Sequence, residues 1–133
     1  VKGDIMATNP RDFWPSDINV LPDLQTPVSI LREQASLLGE KTNNLVEAEV
    51  RSQGDKSSQF VHTFFLVAPA LDNYRYPLFT VTHKVDLYPA TISFASQGLQ
   101  AENEVKFVEY LKKIFADEKT KKVIQALIAQ SRT

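Results

Sequence analysis

The chain has 133 residues, 43% of them hydrophobic and 23% charged, which suits one domain with a single core and argues against wholesale disorder. A formal net charge of −1 speaks against a general polyanion binder, because such proteins carry a basic excess that gathers phosphates before any specific contact forms. With no cysteine, disulfides, thiolate nucleophiles and cysteine-ligated zinc are excluded together.

Residues 1–25 show no helical or alternating pattern, and Pro10, Pro15 and Pro22 remove amide donors from any ladder, so this stretch reads as an extended N-terminal arm. Met6 is a candidate natural start, which would leave residues 1–5 as an addition. Phe13, Trp14, Ile18, Val20, Leu21 and Leu24 are too many large apolar groups for a solvated tail. The simpler expectation is an arm lying across its own domain, the sharper one an arm packed on a partner.

Residues 26–133 read as a single α+β domain. Thr26 suits an N-cap and Pro27 the first helical position, while Val28, Leu31, Ala35 and Leu38 recur at helical spacing, flanked by Ile30 and Leu37. Gly39, then Thr42, Asn43 and Asn44, mark the exit. In LVEAEVR, Val46, Ala48 and Val50 alternate with Glu47, Glu49 and Arg51, a strand with one wet face. SQGDKSS supplies a turn. QFVHTFFLVA is apolar on both faces, Val61, Phe65 and Val67 on one and Phe64 and Leu66 on the other, the mark of a central strand. YPLFTVTH returns antiparallel, and YPATISF adds a shorter strand that Pro89 assigns to an edge.

Beyond Ala101 the period changes to helical. Val105, Val108, Leu111 and Phe115 form one stripe, widened by Phe107 and Ile114, and Val123, Ile124, Leu127 and Ile128 form a second behind a cap at Asp117. Glu102 and Lys106, Glu109 and Lys113, and Glu118 and Lys122 stand four apart with the acid first, the favourable order on an exposed face. The expected fold is therefore a four-stranded antiparallel meander preceded by one helix and followed by two C-terminal helices packed on the sheet. Helices on one face leave the other to the arm or to a second copy of the chain.

Chemistry-bearing motifs are sparse. The four glycines, Gly3, Gly39, Gly54 and Gly98, are too scattered for a phosphate-cradling or dinucleotide loop, and neither a GxSxG elbow nor an HExxH pair occurs. With Asp72 and Asn73 as a two-residue hairpin turn, Leu66 faces Phe79, Phe64 faces Val81 and His62 faces His83. Paired imidazoles suit a metal only with a third ligand such as Asp86, so structural histidines are the main expectation and a metal site the weaker one. Tyr74, Arg75 and Tyr76, with Asp72 and Tyr88 nearby, combine flat rings with a guanidinium fork that either pairs with Asp72 across the loop or faces a partner. Lys112, Lys113, Lys119, Lys121 and Lys122 are interleaved with acids, which disfavours nucleic acid. No window approaches the ~20 apolar residues a bilayer span needs, and cytoplasmic residence is the default expectation.

The leading functional expectation is a small non-catalytic interaction module, an adaptor, inhibitor or immunity-type protein or a dedicated chaperone, without a cofactor. Its partner is another protein or a second copy of itself. Tyr74, Arg75, Tyr76, Asp72 and Trp14 are its candidate contact residues. The alternative is a small-molecule-binding domain or minor enzyme with a pocket between sheet and helices lined by Tyr74, Arg75, Tyr76, His62 and His83.

Overall fold

The computed structural model describes residues 10–18, 25–54 and 57–133. Expectations placed on Met6, Val20, Leu21 and Leu24 lie outside the described residues. The order is α1 (Pro27–Lys41), β1 (Glu47–Gly54), β2 (Phe60–Ala68), β3 (Tyr74–His83), β4 (Ala90–Phe94), β5 (Gln97–Ala101), α2 (Glu104–Ala116) and α3 (Glu118–Ser131), with a short 3-10 turn at Pro69–Leu71. One antiparallel sheet in the order β1-β2-β3-β4-β5 carries all three helices against one face, here called the inner face, so the domain is α+β as the sequence implies.

Local chemistry sets the helix ends. The Thr26 hydroxyl accepts from the Ser29 amide at 3.1 Å with Pro27 next to it, and the Asn103 side chain accepts from the Lys106 amide at 2.9 Å. Asp117 ends α2 and caps α3 by accepting from the Lys119 amide, so a single residue turns the chain between the two helices. Thr120, buried, donates its hydroxyl at 2.7 Å to the Ile114 carbonyl, which also accepts from the Asp117 amide, so two donors fasten the end of α2. Thr26→Ala is expected to cost about 1 kcal/mol, read as a lower urea midpoint at unchanged slope.

The meander has five strands rather than four. YPATISF is followed by a tight hairpin at Ala95 and Ser96, both with positive φ (51° and 66°), and β5 pairs back along β4 from Phe94↔Gln97 to Ala90↔Ala101. Residues that usually mark such a turn, Asn-Gly or Asp-Gly, are absent there. Pro89 precedes β4 instead of sitting in its ladder, and β4 is internal, not an edge.

The core lies between the inner face and the helices. Phe64 stacks on Phe79 at 5.0 Å between ring centroids, and Phe115 of α2 tilts against both at 5.5 and 6.0 Å. Around them pack Ile30, Leu31, Leu66, Val81, Ile92 and Phe107. The buried stripe of α2 is Phe107, Leu111 and Ile114, while Val105, at the end of the expected stripe, is 71% exposed. Ion pairs on the outer helices run three residues, Lys106 to Glu109 and Glu118 to Lys121, in place of the four-residue pairs expected.

Candidate functional site

Three groupings bring the singled-out residues together. The first is the histidine pair. A β-bulge shifts the β2–β3 register between Phe64 and Phe65, where Pro77 lacks an amide to donate and Leu78 becomes the extra residue. Asp72 and Asn73 do turn with positive φ (60° and 57°), but the 3-10 turn before them lengthens the connection. His62 therefore lies opposite Val81 and His83 opposite Phe60, not opposite each other. The shift of two residues preserves the face, so the rings still meet on the diagonal: His62 Nε2 and His83 Nε2 are 2.8 Å apart and both residues are buried.

Proton positions along this chain follow by elimination. The Lys84 carbonyl can only accept, so His83 Nδ1, 2.6 Å away, carries a hydrogen and donates it. In a neutral ring that leaves His83 Nε2 bare, and it accepts from His62 Nε2–H. His62 Nδ1 is then bare and accepts from the Ser52 hydroxyl at 2.7 Å, Ser52 being the direct cross-strand partner of His62. Every ring nitrogen is satisfied. Burial, the facing His83 and the positive Arg32 push the His62 pKa down to about 4. Among the described residues no group of three or more His, Asp or Glu side chains could hold a metal, and Asp86 does not complete one.

The second grouping is the start of β3. Tyr74 and Tyr76 point to the inner side, where with Leu71 they line an open groove of about 470 Å³ against Val123, Leu127 and Gln130 of α3. Arg75 points to the outer face and does not pair with Asp72. Its Nε donates to Glu49 Oε1 at 3.0 Å, while Arg51 Nε donates to the other oxygen of the same carboxylate. Glu49 and Arg75 thus reach toward each other across β2, and the Arg51 guanidinium stands 6.0 Å from the Phe65 ring centroid. Arginine stems and guanidinium planes shelter apolar surface well, and beside this strap Phe65 is half-buried and Val67 buried. The two guanidinium groups hold the Glu49 pKa below the ordinary carboxylate value. Elsewhere the outer face carries Thr63, Thr80, Thr82 and Thr91.

The pocket expected from Tyr74, Arg75, Tyr76, His62 and His83 together does not exist as one cavity. The tyrosines line the α3 groove, Arg75 lies on the opposite face, His62 is internal, and His83 reaches an open depression of about 480 Å³ beside Asp86 and Pro89.

The third grouping is the arm. Asp12 accepts from the Trp14 amide at 3.0 Å in an Asx turn, and the Ile18 amide donates to the Pro15 carbonyl at 3.4 Å. These turns present Phe13, Trp14 and Ile18 outward, 84%, 77% and 63% exposed, so this part of the arm does not lie across its own domain. Nearer the domain the chain is tied at Gln25, whose carbonyl accepts from the Tyr88 hydroxyl at 3.3 Å. Burial, with Glu104 adding to it, pushes the Tyr88 pKa up to about 12, so this phenol keeps its proton to donate. No helix among the described residues is long and apolar enough to cross a membrane. Neither a protein-family model, nor a curated protein, nor a solved structure matches this chain.

Proposed function

We propose that the protein is a non-catalytic interaction module whose recognition element is the segment 10–18. The observation that carries this reading is the presentation of Phe13, Trp14 and Ile18 to solvent within six residues, on turns that hold them clear of the core. Large exposed apolar clusters are costly on a monomer surface and mark binding sites, and tryptophan supplies a disproportionate share of interface energy. Tyr74, half-exposed beside the α3 groove, is a second contact, while Arg75 is committed to Glu49 and contributes less than its type suggests. The partner is another protein or a second copy of this chain. A cysteine-free composition suits a reducing compartment, and we place the protein in the cytoplasm as part of the same proposal.

Phe13→Ala with Trp14→Ala is expected to abolish partner capture, or self-association in sedimentation, with circular dichroism and urea midpoint unchanged because neither side chain is part of the core. Tyr74→Ala is expected to weaken association by a smaller factor. Association that survives loss of both arm aromatics would remove the arm from the proposal.

A further inference from the structure

The gap between α1 and the other two helices is a groove. Beside the C-terminal half of α1 it forms a cleft of about 310 Å³ over Phe64, Leu66 and Leu78, walled by Leu38 and Ile124, with Lys41 among its lining residues. Past Gln34 and Phe115, which line both, a second cleft of about 270 Å³ reaches Ile30 and Leu111 and includes Glu33, Glu104 and Lys112. Among the described residues no hydrogen bond or ion pair ties α1 to α2 or α3, so the walls are held by apolar contact alone.

Three features define an occupant. The cleft is narrow: its floor residues Phe64, Leu66 and Thr120 are only 1–2% exposed, so a helix about 10–12 Å across cannot enter, and an occupant has to be slender and lie along the walls, Leu37, Leu38 and Ile124. From Ile30 to Lys41 the groove runs along about three turns of α1, roughly 16 Å at 1.5 Å per residue, which suits an extended chain better than a compact ring system. Charge sets its direction. Lys41 forms no ion pair with any described residue, while the other end holds two carboxylates, Glu33 and Glu104, against the single Lys112.

We propose that this groove binds one unbranched fatty acid, its alkyl chain along Leu37, Leu38 and Ile124 and its carboxylate at Lys41. Small-ligand sites are mostly apolar with a few placed polar groups, and here Lys41, with no carboxylate among the residues lining its end of the groove, supplies the orientation. This site is independent of the arm, and its loss would leave the recognition segment untouched.

The test is calorimetric titration of the full, delipidated chain with dodecanoate, and in parallel with dodecanol. Saturable binding of one dodecanoate per chain is expected. Lys41→Glu, at an exposed position that leaves the core intact, is expected to weaken dodecanoate at least tenfold while dodecanol changes less than twofold. Leu38→Trp, which fills the cleft, is expected to abolish both; should it fail to fold, Lys41→Glu decides alone. Absence of saturable dodecanoate binding, an unchanged affinity in Lys41→Glu, or equal weakening of acid and alcohol would overturn the proposal. So would displacement of the bound acid by a synthetic peptide of residues 10–18, which would make the groove a peptide site.

Discussion

Between pH 6.5 and pH 4 the folded chain is expected to lose about 3 kcal/mol of stability through His62 alone. In the unfolded chain this imidazole takes up its proton near 6.5, while in the native chain it resists down to about 4, so the unfolded state binds the proton first as pH falls. The contribution is fully present above pH 6.5 and disappears through that window. Geometry gives the same sign. In the neutral chain Ser52, His62, His83 and the Lys84 carbonyl each have a partner, with one hydrogen between the two Nε2 atoms. A first added proton takes the bare His62 Nδ1 once the Ser52 hydroxyl turns to accept from it; a second has only His83 Nε2, the acceptor of the bond between the rings, and must break the 2.8 Å contact.

Charged groups around the pair do not rescue it. Arg32 of α1 adds positive charge, Lys84 follows His83 directly, and Asp86 meets His83 only across an open depression. Urea midpoints at pH 7, 5.5 and 4.5 are expected to fall steeply for the native protein and more gently for His62→Leu with His83→Leu, which removes His62 together with the ring it faces. Glu49 adds loss of the same sign at lower pH, because its lowered pKa stabilises the fold only while the carboxylate is ionised, above the ordinary value of 4.5. Parallel pH profiles for native and double variant would show that the pair is not under proton stress.

Phe64→Ala is expected to cost about 3–5 kcal/mol, a large share of the stability of a domain this size. Phe64 is the hinge of the core. It stacks on Phe79 across the β2–β3 pair, meets Phe115 from α2, and forms part of the cleft floor beside α1, so its removal leaves a cavity that three rigid elements cannot close. Phe64→Leu is expected to cost much less, since most of the volume is kept. Comparable losses for the two variants in urea unfolding would mean that the aromatic stack, not the filled volume, dominates at this position.

Much of this architecture is legible in the sequence because period and capping chemistry are local. Thr26-Pro27 and Asp117 start helices where the spacing says they should, and the alternation of QFVHTFFLVA places His62, Phe64 and Leu66 on one face whatever the register. Parity explains why the histidines meet although the expected pairing was off by two: a slip of two keeps the face, while a slip of one would have sent His83 outside. The register itself depends on how the chain relieves the missing amide of Pro77, and a bulge leaves no local composition signal.

Other features needed tertiary context. The Ala95-Ser96 hairpin adopts a left-handed turn without Asn or Gly, so β5 could not be seen as a separate strand. Arg75 finds Glu49 across an intervening strand, twenty-six residues away, where sequence proximity suggested Asp72. Gln34, Leu38, Lys41 and Ile124 looked like ordinary helix positions, and the groove they share exists only because α1 packs mainly on β1 and β2. The i, i+3, i+4, i+7 recurrence of Gln34, Leu37, Leu38 and Lys41 is the one signal that could have placed them on a common face.

Trp14 is the only tryptophan in the chain, so intrinsic fluorescence reports on the recognition segment directly. In dilute, monomeric protein its emission is expected to be that of a water-exposed indole, quenched by acrylamide as readily as in the urea-unfolded chain, and to shift blue and resist quencher only once a partner or second copy is bound. A shielded, blue-shifted Trp14 in the isolated monomer would contradict the account, because the arm would then already be spent on its own domain.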